Sequence, residues 1–579
     1  MLKKKSNKIQ ILAIFSLFFL LQFSVILAYH NYSLDSGENI LQHENQPNFK
    51  IKTSSYNNVG PFIIDDNGGG DYTWVQLEGN FSWCTGNGTI NNPYIINRIA
   101  INGMNSSSCI EIKFSLTSYF VIKNSLFYNS SDNNQDAGIE FFSVRYGLLE
   151  NNTCINNNAH GFYGWGCDNT TFFQNNFSYN ALNGIYLFSG SDDNQISENK
   201  VSFNQNYGIY FHSSNLNTIN DNQIEYNDNV GIRLYFAENT TITSNIIYEN
   251  DEEGIMNYQG SHYTTICGNN VSDNMGDGVY LFLSNNLDVS NNSINHNNNG
   301  IWSAQIENMT IMNNTITDNS GSGFLGTTSM KNCDIIGNNF SSNYDNGIIM
   351  YIGEDCEIRD NYIFKNGDFT SDHGIELWNF ENGEISNNHI LESFGYGLNI
   401  KTGSQNIIKE NQISENNGYG LYIEYGSQNL FNGNNITENQ NHGIFIYGNI
   451  VTDISANNSI DGNRIYKNNG YGIYLVNIQF LPSDSNISDN TITKNSGGAI
   501  YIERSTGNII KGNIMISNAN YGMRLYSVER CVIEDNIFEN HSLTAFYLQN
   551  GTENSINYNI ITNSSFGMSI YTDSHDNEI

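Results

Sequence analysis

One short sequence unit recurs along almost the whole chain and limits the fold more than any other feature. It is clearest at residues 184–207, where it reads GIYLFSGSDDNQISENKVSFNQNY. The next copies begin, in steps of 24, 23, 23 and 24 residues, at Gly208, Gly231, Gly254 and Gly278. Copies continue to Gly567, and fainter ones reach back to Cys109, a stretch of about 460 residues. A fixed period of this length is typical of a solenoid.

Within one unit the apolar residues alternate with period two, as in a strand with one buried face. Ile185 and Leu187 form the first such run, and Ile196 and Val201 mark two shorter ones, with Ser, Asp, Asn and Gly between them favouring turns. Three short strands in 22–24 residues leave no space for a helix. Stacked units would therefore pair in parallel, about 4.8 Å apart. The sequence predicts an all-β fold, a right-handed parallel β-helix solenoid of about 20 coils with three short strands per coil.

Asparagine recurs at a fixed corner of the predicted coil. The column contains Asn194, Asn217, Asn406, Asn429 and Asn554. Stacked amides can bond to the copies above and below, and so satisfy turn backbone groups that would otherwise be buried unpaired. The chain has only four prolines, which fits because proline would remove donors from the strand ladders.

Cysteine replaces asparagine at three places in this column. Cys333 and Cys356 lie 23 residues apart, in the matching contexts NCDI and DCEI, and Cys531 follows further on. The pattern predicts stacked, buried thiols. Because adjacent coils bring the two Cα atoms within disulfide range, Cys333 and Cys356 are also a disulfide candidate. No CxxC or Cys/His spacing indicates a zinc site.

The chain divides into four predicted segments. Lysines followed by an apolar run predict a signal peptide or N-terminal anchor over residues 1–28, which implies a secreted or cell-surface protein. Residues 29–60 read as a flexible lead-in, and 61–108 as irregular N-terminal cap coils. Residues 109–579 are the β-helix repeats. The last repeat stops within a coil, which predicts that the repeat region is truncated at its C-terminal end. Longer steps, such as the 29 residues from Cys109 to Gly138, predict longer loops beside the binding face.

The charge balance excludes some partners. The chain has 24 basic and 58 acidic residues and a formal net charge of −34. Nothing in this composition could neutralise a row of phosphates, so no nucleic-acid partner is expected. A membrane contact is expected only through the N-terminal anchor, and the oligomeric state stays open.

The coil motifs resemble a known family. NPYIINRIAING, then SCIEI, YFVIKNS and the repeated NGIYL…N-x-I-x-x-N coils, are similar to the NosD-type right-handed β-helix repeat proteins. That group belongs to the carbohydrate-binding and sugar-hydrolase β-helix class of the pectate-lyase-like superfamily. The resemblance covers residues 86–579 and implies the fold. For function it implies either copper-site maturation of a nitrous-oxide reductase or action on acidic polysaccharides, and copper rests on the resemblance alone.

The second and fourth positions after each anchor glycine predict two outward columns rich in aromatic residues. We take as ligand-binding residues Tyr163, Trp165, Tyr186, Phe188, Tyr210, Tyr235, Tyr280, Phe282, Trp302 and Trp378. Aromatic rings on a solvent face can stack against sugar rings, although they can equally stabilise the sheet. The resulting prediction is an exported β-helix that binds an extended polysaccharide or surface glycan without turnover and requires no cofactor.

Other functions remain open at this point. Asp372, His373 and Glu376 surround one strand at a lengthened coil, and could serve a polysaccharide lyase, hydrolase or epimerase. Glu252, Glu253 and, one coil on, Asp277 could form an oxygen-rich calcium site. The remaining alternatives are a copper-maturation accessory and a purely structural surface rod.

Overall fold

The computed structural model describes residues 55–448, 455–571 and 573–579. The predicted signal or anchor, and most of the predicted lead-in, lie outside these residues. The described chain is a parallel β-solenoid in which each coil contributes strands to two long sheets, one of 42 and one of 21 strands. The fold prediction is confirmed.

Each complete coil has a first, a second and a third strand. The first strands pair in order as Phe62–Asp65, Ile110–Lys113, Ala137–Phe142, His160–Trp165, Ile185–Phe188, Ile209–His212, Ile232–Tyr235, Ile255–Tyr258, Val279–Phe282, Ile301–Ala304, Phe324–Ile336, Ile348–Glu354, Ile375–Trp378, Leu398–Lys401, Leu421–Glu424, Ile444–Gly448, Tyr471–Pro482, Gly498–Thr506, Tyr521–Glu529, Thr544–Gln549 and Phe566–Ile570. One of them, Phe324–Ile336, also serves as the second strand of its coil.

The second strands lie in the same sheet. They are Tyr94–Asn97, Phe120–Lys123, Gly147–Glu150, Thr171–Phe173, Gln195–Ser197, Thr218–Asn220, Thr241–Thr243, Thr265–Cys267, Leu287–Ser290, Ile306–Met312, Glu357–Arg359, Glu384–Ser386, Ile407–Lys409, Leu430–Asn432, Ser459–Asp461, Asn486–Ser488, Ile509–Lys511, Val532–Glu534 and Ser555–Asn557. Two short strands also belong to this sheet: Cys84–Thr85 pairs antiparallel with Tyr94–Asn97, and Phe380–Glu381 pairs with the first strand Ile348–Glu354.

The third strands form the smaller sheet. They are Asn57–Val59, Ile99–Asn102, Leu126–Tyr128, Thr153–Ile155, Asn176–Ser178, Lys200–Ser202, Gln223–Glu225, Ile246–Tyr248, Asn270–Ser272, Ser293–Asn295, Thr315–Thr317, Asn339–Ser341, Tyr362–Phe364, His389–Leu391, Gln412–Ser414, Asn435–Thr437, Arg464–Tyr466, Thr491–Thr493, Ile514–Ile516, Ile537–Glu539 and Ile560–Thr562. Because Asn57–Val59 pairs in parallel with Ile99–Asn102, coil-forming chain already begins within the predicted lead-in.

Inward aliphatic side chains form one continuous core. Ile185 pairs in register with Ile209, and Leu187 with Phe211, and all four are fully buried. The anchor glycine is required by close packing rather than by its backbone angle. A Cβ on Gly184 would lie 2.4 Å from a methyl carbon of Val201 and 2.7 Å from a backbone oxygen of the next coil. This explains why glycine marks the start of most copies.

Buried asparagines form ladders at the coil corners. In the predicted column, Asn194 Nδ2 donates to Asn217 Oδ1 at 3.1 Å, so the proposed amide stacking is confirmed. Two further ladders run beside the third strands, and the sequence reasoning did not separate them. In one of these, Asn245 Nδ2 donates to Asn269 Oδ1, and Asn269 Nδ2 to Asn292 Oδ1, both at 3.0 Å.

A short helix lies at the N-terminal end of the described coils. It spans Trp74–Asn80 and begins with a capping box between Thr73 and Gln76. The buried Trp74 ring stacks on Tyr94 and Phe120, with centroids 5.3 and 4.9 Å apart. The helix thus packs against the core beside the first coils. Among the described residues, no helix is long and apolar enough to cross a membrane.

The cysteines are thiols in this structure. Cys333 and Cys356 are both free and fully buried, on successive rungs of the asparagine column, as predicted. A hydrogen bond to the Cys356 thiol, together with burial, raises the pKa of Cys333. Each thiol donates to a backbone carbonyl, Cys333 Sγ to Lys331 O and Cys356 Sγ to Glu354 O, both at 3.3 Å, and the two are free thiols rather than the alternative disulfide.

Candidate ligand-binding face

The outward side chains of the first strands form a continuous surface over eight coils, which we call the aromatic face. Its inner column contains Tyr163, Tyr186, Tyr210, Arg233, Met256, Tyr280 and Trp302. Its outer column contains Phe142, Trp165, Phe188, His212, Tyr235, Tyr258 and Phe282. The structure thus brings together all the predicted ligand-binding residues except Trp378, which lies further along the outer column.

The rings of the inner column do not present their flat faces to solvent. Tyr186 and Tyr210 are stacked at a centroid distance of 4.8 Å and an interplanar angle of 4°. Tyr280 and Trp302 are stacked at 4.3 Å and 2°. In each pair the two facing sides of the rings cover each other, so the expected stacking of sugars cannot take place on those sides. Tyr186, Tyr210, Tyr280 and Trp302 are half-buried, so part of each ring remains accessible.

The phenols of Tyr163, Tyr186 and Tyr210, in the inner column, have raised pKa values. Burial raises the pKa of Tyr163 and that of Tyr210, each to about 12, and it also raises the pKa of Tyr186. A protonated phenol both donates and accepts hydrogen bonds. Each of these tyrosines can therefore both donate a hydrogen bond to a sugar hydroxyl and accept one from it. The outer column adds more accessible rings, of which Trp165 is 38% exposed.

A third column was missed by the sequence reasoning. It consists of residues that directly precede the anchor glycines. In the C-terminal half it contains Tyr396, Tyr419 and His442, with ring centroids 4.7 and 5.5 Å apart. It packs beside Tyr422 and Phe445 of the inner column. The recurrence of Tyr or His before successive glycines was the available signal.

The predicted catalytic residues do not form an accessible site. Asp372, His373 and Glu376 are 8%, 4% and 6% exposed. Asp372 Oδ2 accepts from the backbone N–H groups of Asp368 and Phe369, and thus holds its own loop.

The other two members have structural partners of their own. His373 Nδ1 accepts from the Tyr396 backbone N–H at 2.9 Å, and burial lowers the pKa of His373 to about 3. Glu376 Oε1 accepts from Lys401 Nζ and Trp378 Nε1, each at 3.0 Å. The proposed proton-transfer cluster is therefore replaced by a corner hydrogen bond and a buried ion pair.

Of the predicted calcium ligands, Asp277 is engaged by a neighbouring coil. Asp277 Oδ1 accepts from the backbone and side-chain amides of Asn299, at 2.9 and 2.8 Å, in the role that a corner asparagine has elsewhere. Burial raises the pKa of Glu253 to about 7 and also raises that of Glu252. Within the described ranges, no three His, Cys, Asp or Glu side chains are grouped so that they could hold a metal ion.

A polar pocket lies where the inner column continues toward the N-terminus. Glu111 pairs in register with Glu140, and Glu140 with Tyr163, so two carboxyl groups precede the tyrosines in one column. The pocket measures about 490 Å³. It is lined by Pro61, Phe62, Ile63, Asp71, Ser106, Ser107, Ser108, Glu111, Asn133, Gln135, Asp136 and Glu140. The lengthened coil after Cys109 supplies part of this wall, as its loop length predicted.

The two pocket glutamates differ in their electrostatic environment. Burial, and to a smaller extent the Glu111 charge, raises the pKa of Glu140 to about 8, although Ser108 Oγ donates to Glu140 Oε2 at 2.5 Å. Glu111 instead pairs with Lys113 Nζ at 2.5 Å. The raised pKa favours the protonated form of Glu140 near neutral pH, whereas Glu111 is held in an ion pair. The sequence reasoning overlooked this pair because its members lie 29 residues apart.

Comparison with known proteins identifies a fold rather than a ligand. A family model described as "Right handed beta helix region" matches residues 160–308, 299–458 and 449–579. The match is to this broad family and does not single out the NosD-type subclass. A comparison with curated proteins gives no match.

Several solved structures are similar at low identity. The mannuronan C-5 epimerase AlgE4 A-module of Azotobacter vinelandii shares 13% identity over 53% of this chain and 86% of its own, with a TM-score of 0.33. The Dettilon tailspike protein shares 15% over 55% and 62%, with a TM-score of 0.33. The DFA-IIIase of Arthrobacter chlorophenolicus A6, without its lid, shares 12% over 52% and 82%, with a TM-score of 0.28. At these values the similarity carries no argument about what this chain binds.

Proposed function

The chain belongs to the right-handed β-helix family, and from that premise we propose that it binds an extended polysaccharide along the aromatic face, without turnover. The observation that supports this is the outer column of aromatic and histidine side chains, which continues without a gap over seven coils beside the tyrosines of the inner column. The N-terminal lysines and apolar run add the proposal that binding takes place outside the cell.

The spacing of the face suits a polymer better than a compact ligand. Strands of successive coils lie about 4.8 Å apart, so equivalent side chains recur at that interval along the rod. A chain of hydroxyl-bearing units running parallel to the rod would meet a similar row of ring edges and hydroxyls at each coil. Contacts that are individually weak then add along the polymer.

Removing hydroxyls while keeping the rings tests this proposal. We expect the triple change Tyr163→Phe, Tyr186→Phe and Tyr210→Phe to weaken binding of a soluble polysaccharide by about two- to ten-fold per lost hydrogen bond. The measurement is titration calorimetry of the full chain with a panel of soluble polysaccharides. Tyr558→Phe is the control, since Tyr558 is 82% exposed and follows a second strand.

Two results would count against binding of a polysaccharide along the aromatic face. The first is that no polymer in the panel binds the unmodified chain. The second is that the triple variant binds as the parent does, which would leave the aromatic columns with a structural role only. Thermal unfolding of the triple variant shows whether the stacked rings remain in place.

Hydrolysis is a second candidate, favoured by the Glu111–Glu140 pair. In such a reaction Glu140 would give its proton to the glycosidic oxygen as the bond from that oxygen to the anomeric carbon breaks. Water would form the new bond to that carbon and lose a proton to Glu111. The pocket lies in line with the inner column beyond Tyr163, so a polymer on the face could extend into it.

New reducing ends provide the measurement for this second candidate. Glu140→Gln should abolish their formation and leave binding unchanged, whereas Glu357→Gln, on an exposed strand position, should change neither. If no polymer that binds gives rise to reducing ends after prolonged incubation, the hydrolase is excluded and the binding proposal stands.

A further inference from the structure

The polar pocket at the N-terminal end of the inner column has an excess of acidic groups. Of the twelve residues that line it, four are carboxylic acids, Asp71, Glu111, Asp136 and Glu140, and none is lysine, arginine or histidine. Lys113, from the outer column, pairs with Glu111 at 2.5 Å and can neutralise one of the four charges. The other three carboxyl groups have no such cation in the pocket wall.

Three separate parts of the fold bring these acids together. Glu111 and Glu140 occupy adjacent rungs of the inner column. Asp136 comes from the lengthened loop that leads into the strand carrying Glu140. Asp71 comes from the segment before the short helix, and its Oδ2 accepts from the Ile63 backbone N–H at 2.9 Å. The pocket is thus a product of the folded chain rather than of one acidic stretch of sequence.

The carboxyl groups of the pocket repel one another. Burial is the main cause of the raised pKa of Glu140, and the charges of Glu111 and Asp136 add to it, because a nearby like charge disfavours the ionised form. The whole chain has a formal net charge of −34, and its long-range potential has the same sign. Both effects favour a cation over an anion in this pocket.

The serine hydroxyls of the pocket wall are already used as donors. Ser106 Oγ donates to Gly103 O at 3.0 Å, and Ser107 Oγ donates to Ser108 O at 2.9 Å. Ser108 Oγ donates to Glu140 Oε2 at 2.5 Å. A hydroxyl has one proton to donate but two lone pairs, so these serines can offer a ligand acceptors only. The wall therefore suits a group that donates several hydrogen bonds, and an ammonium group donates three.

The size and position of the pocket suit one unit of a polymer. Its volume of about 490 Å³ lies within the roughly 300–1,000 Å³ of ordinary ligand pockets. Glu140 is in register with Tyr163, so a chain on the aromatic face could place a unit here. A metal ion fits less well, since no three His, Cys, Asp or Glu side chains of the described residues are grouped to hold one.

We propose that the pocket binds an ammonium group, so that the polysaccharide on the aromatic face contains amino sugars with free amines. This rests on the proposed function. The ammonium lies among Asp71, Asp136 and Glu140, whose oxygens accept its three hydrogen bonds. The aromatic face meets the hydroxyls of the other units. This ligand class is opposite in charge to the acidic polysaccharides that the family resemblance implied.

Matched oligosaccharides test the inference with the full chain. One is a glucosamine oligomer, whose amines are protonated at about pH 6, below the usual pKa of an amine. The other is an N-acetylglucosamine oligomer of the same length, whose amides are neutral. By titration calorimetry we expect the glucosamine oligomer to bind about ten-fold or more tightly, because it adds charge-assisted hydrogen bonds. Added salt should reduce this difference by screening the charges.

Variants locate the preference at the pocket. Asp136→Asn should reduce it, and adding Asp71→Asn should bring the two oligomers close to equal affinity, with binding of the N-acetylated oligomer unchanged. Asparagine keeps an acceptor for the Ile63 N–H. Asp132→Asn is the matched control, because Asp132 lies in the same loop as Asp136 and is exposed, but does not line the pocket; it should behave as the parent.

Carboxyl footprinting gives a second measurement that needs no variant. The bound glucosamine oligomer should protect Asp71 and Asp136 of the parent chain from a carbodiimide and leave Asp132 reactive, as read by mass spectrometry. Equal reactivity of Asp71 and Asp136 with and without the bound oligomer would overturn the inference.

The outcomes separate this inference from the proposed function. Equal or tighter binding of the N-acetylated oligomer by the parent chain, or no binding of the glucosamine oligomer, overturns the amino-sugar inference and leaves polysaccharide binding intact. An unchanged preference in the folded double variant also overturns it, since the attraction would then come from the net charge of the chain. Absence of binding by these oligomers and by every polymer of the panel overturns both.

Discussion

The substitution Asn269→Ala should destabilise the rod locally and strongly. Asn269 Nδ2 donates to Ile242 O at 2.9 Å and to Asn292 Oδ1 at 3.0 Å. Its Oδ1 accepts from the backbone N and from Nδ2 of Asn245, at 2.9 and 3.0 Å. Alanine removes these four hydrogen bonds and a longer fifth one, from Asn269 Nδ2 to Cys267 O at 3.3 Å, and leaves the buried Asn245 N–H without an acceptor. At about 1 kcal/mol for each of the four shorter bonds, the cost is about 4 kcal/mol.

Hydrogen exchange gives the most direct measurement, because each coil contacts only its neighbours. A loss of about 4 kcal/mol corresponds to roughly a thousand-fold faster exchange of the Asn245 amide. The matched control is Asn270→Ala, the next residue, whose side chain is exposed on its strand; we expect it to change exchange little. Equal effects of the two substitutions, or an equal rise in coils beyond residue 460, would refute the reasoning.

Three further predictions follow from the buried titratable groups. Burial raises the pKa of Glu140 from its ordinary value of about 4.5 to about 8. The contribution of Glu140 to the free energy of unfolding is therefore complete below pH 4.5 and is lost as the pH rises through 8. The urea midpoint of Glu140→Gln should therefore rise relative to that of the parent between pH 5 and 9, because only the parent has a carboxyl group that ionises there. A difference that stays constant over this range would contradict the prediction. Burial lowers the pKa of His373 from its ordinary value of about 6.5 to about 3. The contribution of His373 to the free energy of unfolding is therefore complete above pH 6.5 and is lost as the pH falls toward 3. His373→Leu should lower the free energy of unfolding in urea at pH 7 by about 1–3 kcal/mol, because it leaves the Tyr396 N–H without an acceptor. His373→Asn should recover most of this loss, since asparagine can accept the same hydrogen bond. Equal losses for the two variants would refute the corner role. Finally, Cys333 and Cys356 should resist a thiol reagent in the folded chain and react after unfolding, and a disulfide found by mass analysis would disprove the paired thiols.

The repeat made the fold predictable to the level of strand register. Alternation at Ile185 and Leu187 identified the buried face, and the glycine period fixed which residues stack. The outward columns were therefore placed correctly, including Tyr163 and Trp302. In a parallel stack a residue's neighbours above and below are given by the period alone, so no long-range information was required.

Side-chain orientation was not accessible in the same way. The sequence places Tyr186 beside Tyr210, but whether the rings meet face to face depends on their χ angles within the packed column. The pocket depends on how the segment before residue 72 and the loop after Ser131 fold back beside Glu140. Neither segment has the repeat. His373 and Glu376 looked catalytic because the sequence does not show that their polar atoms are already used.

The constant rise per coil turns the aromatic face into a periodic template. A polymer whose own repeat differs from about 4.8 Å by roughly a tenth falls half a period out of phase within about five coils. Beyond that point its hydroxyls would meet gaps rather than ring edges. The β-helix would then select polymers whose repeat length matches the spacing of its coils. A small change in the repeat length of the polymer would alter how many sugar units can be bound at once.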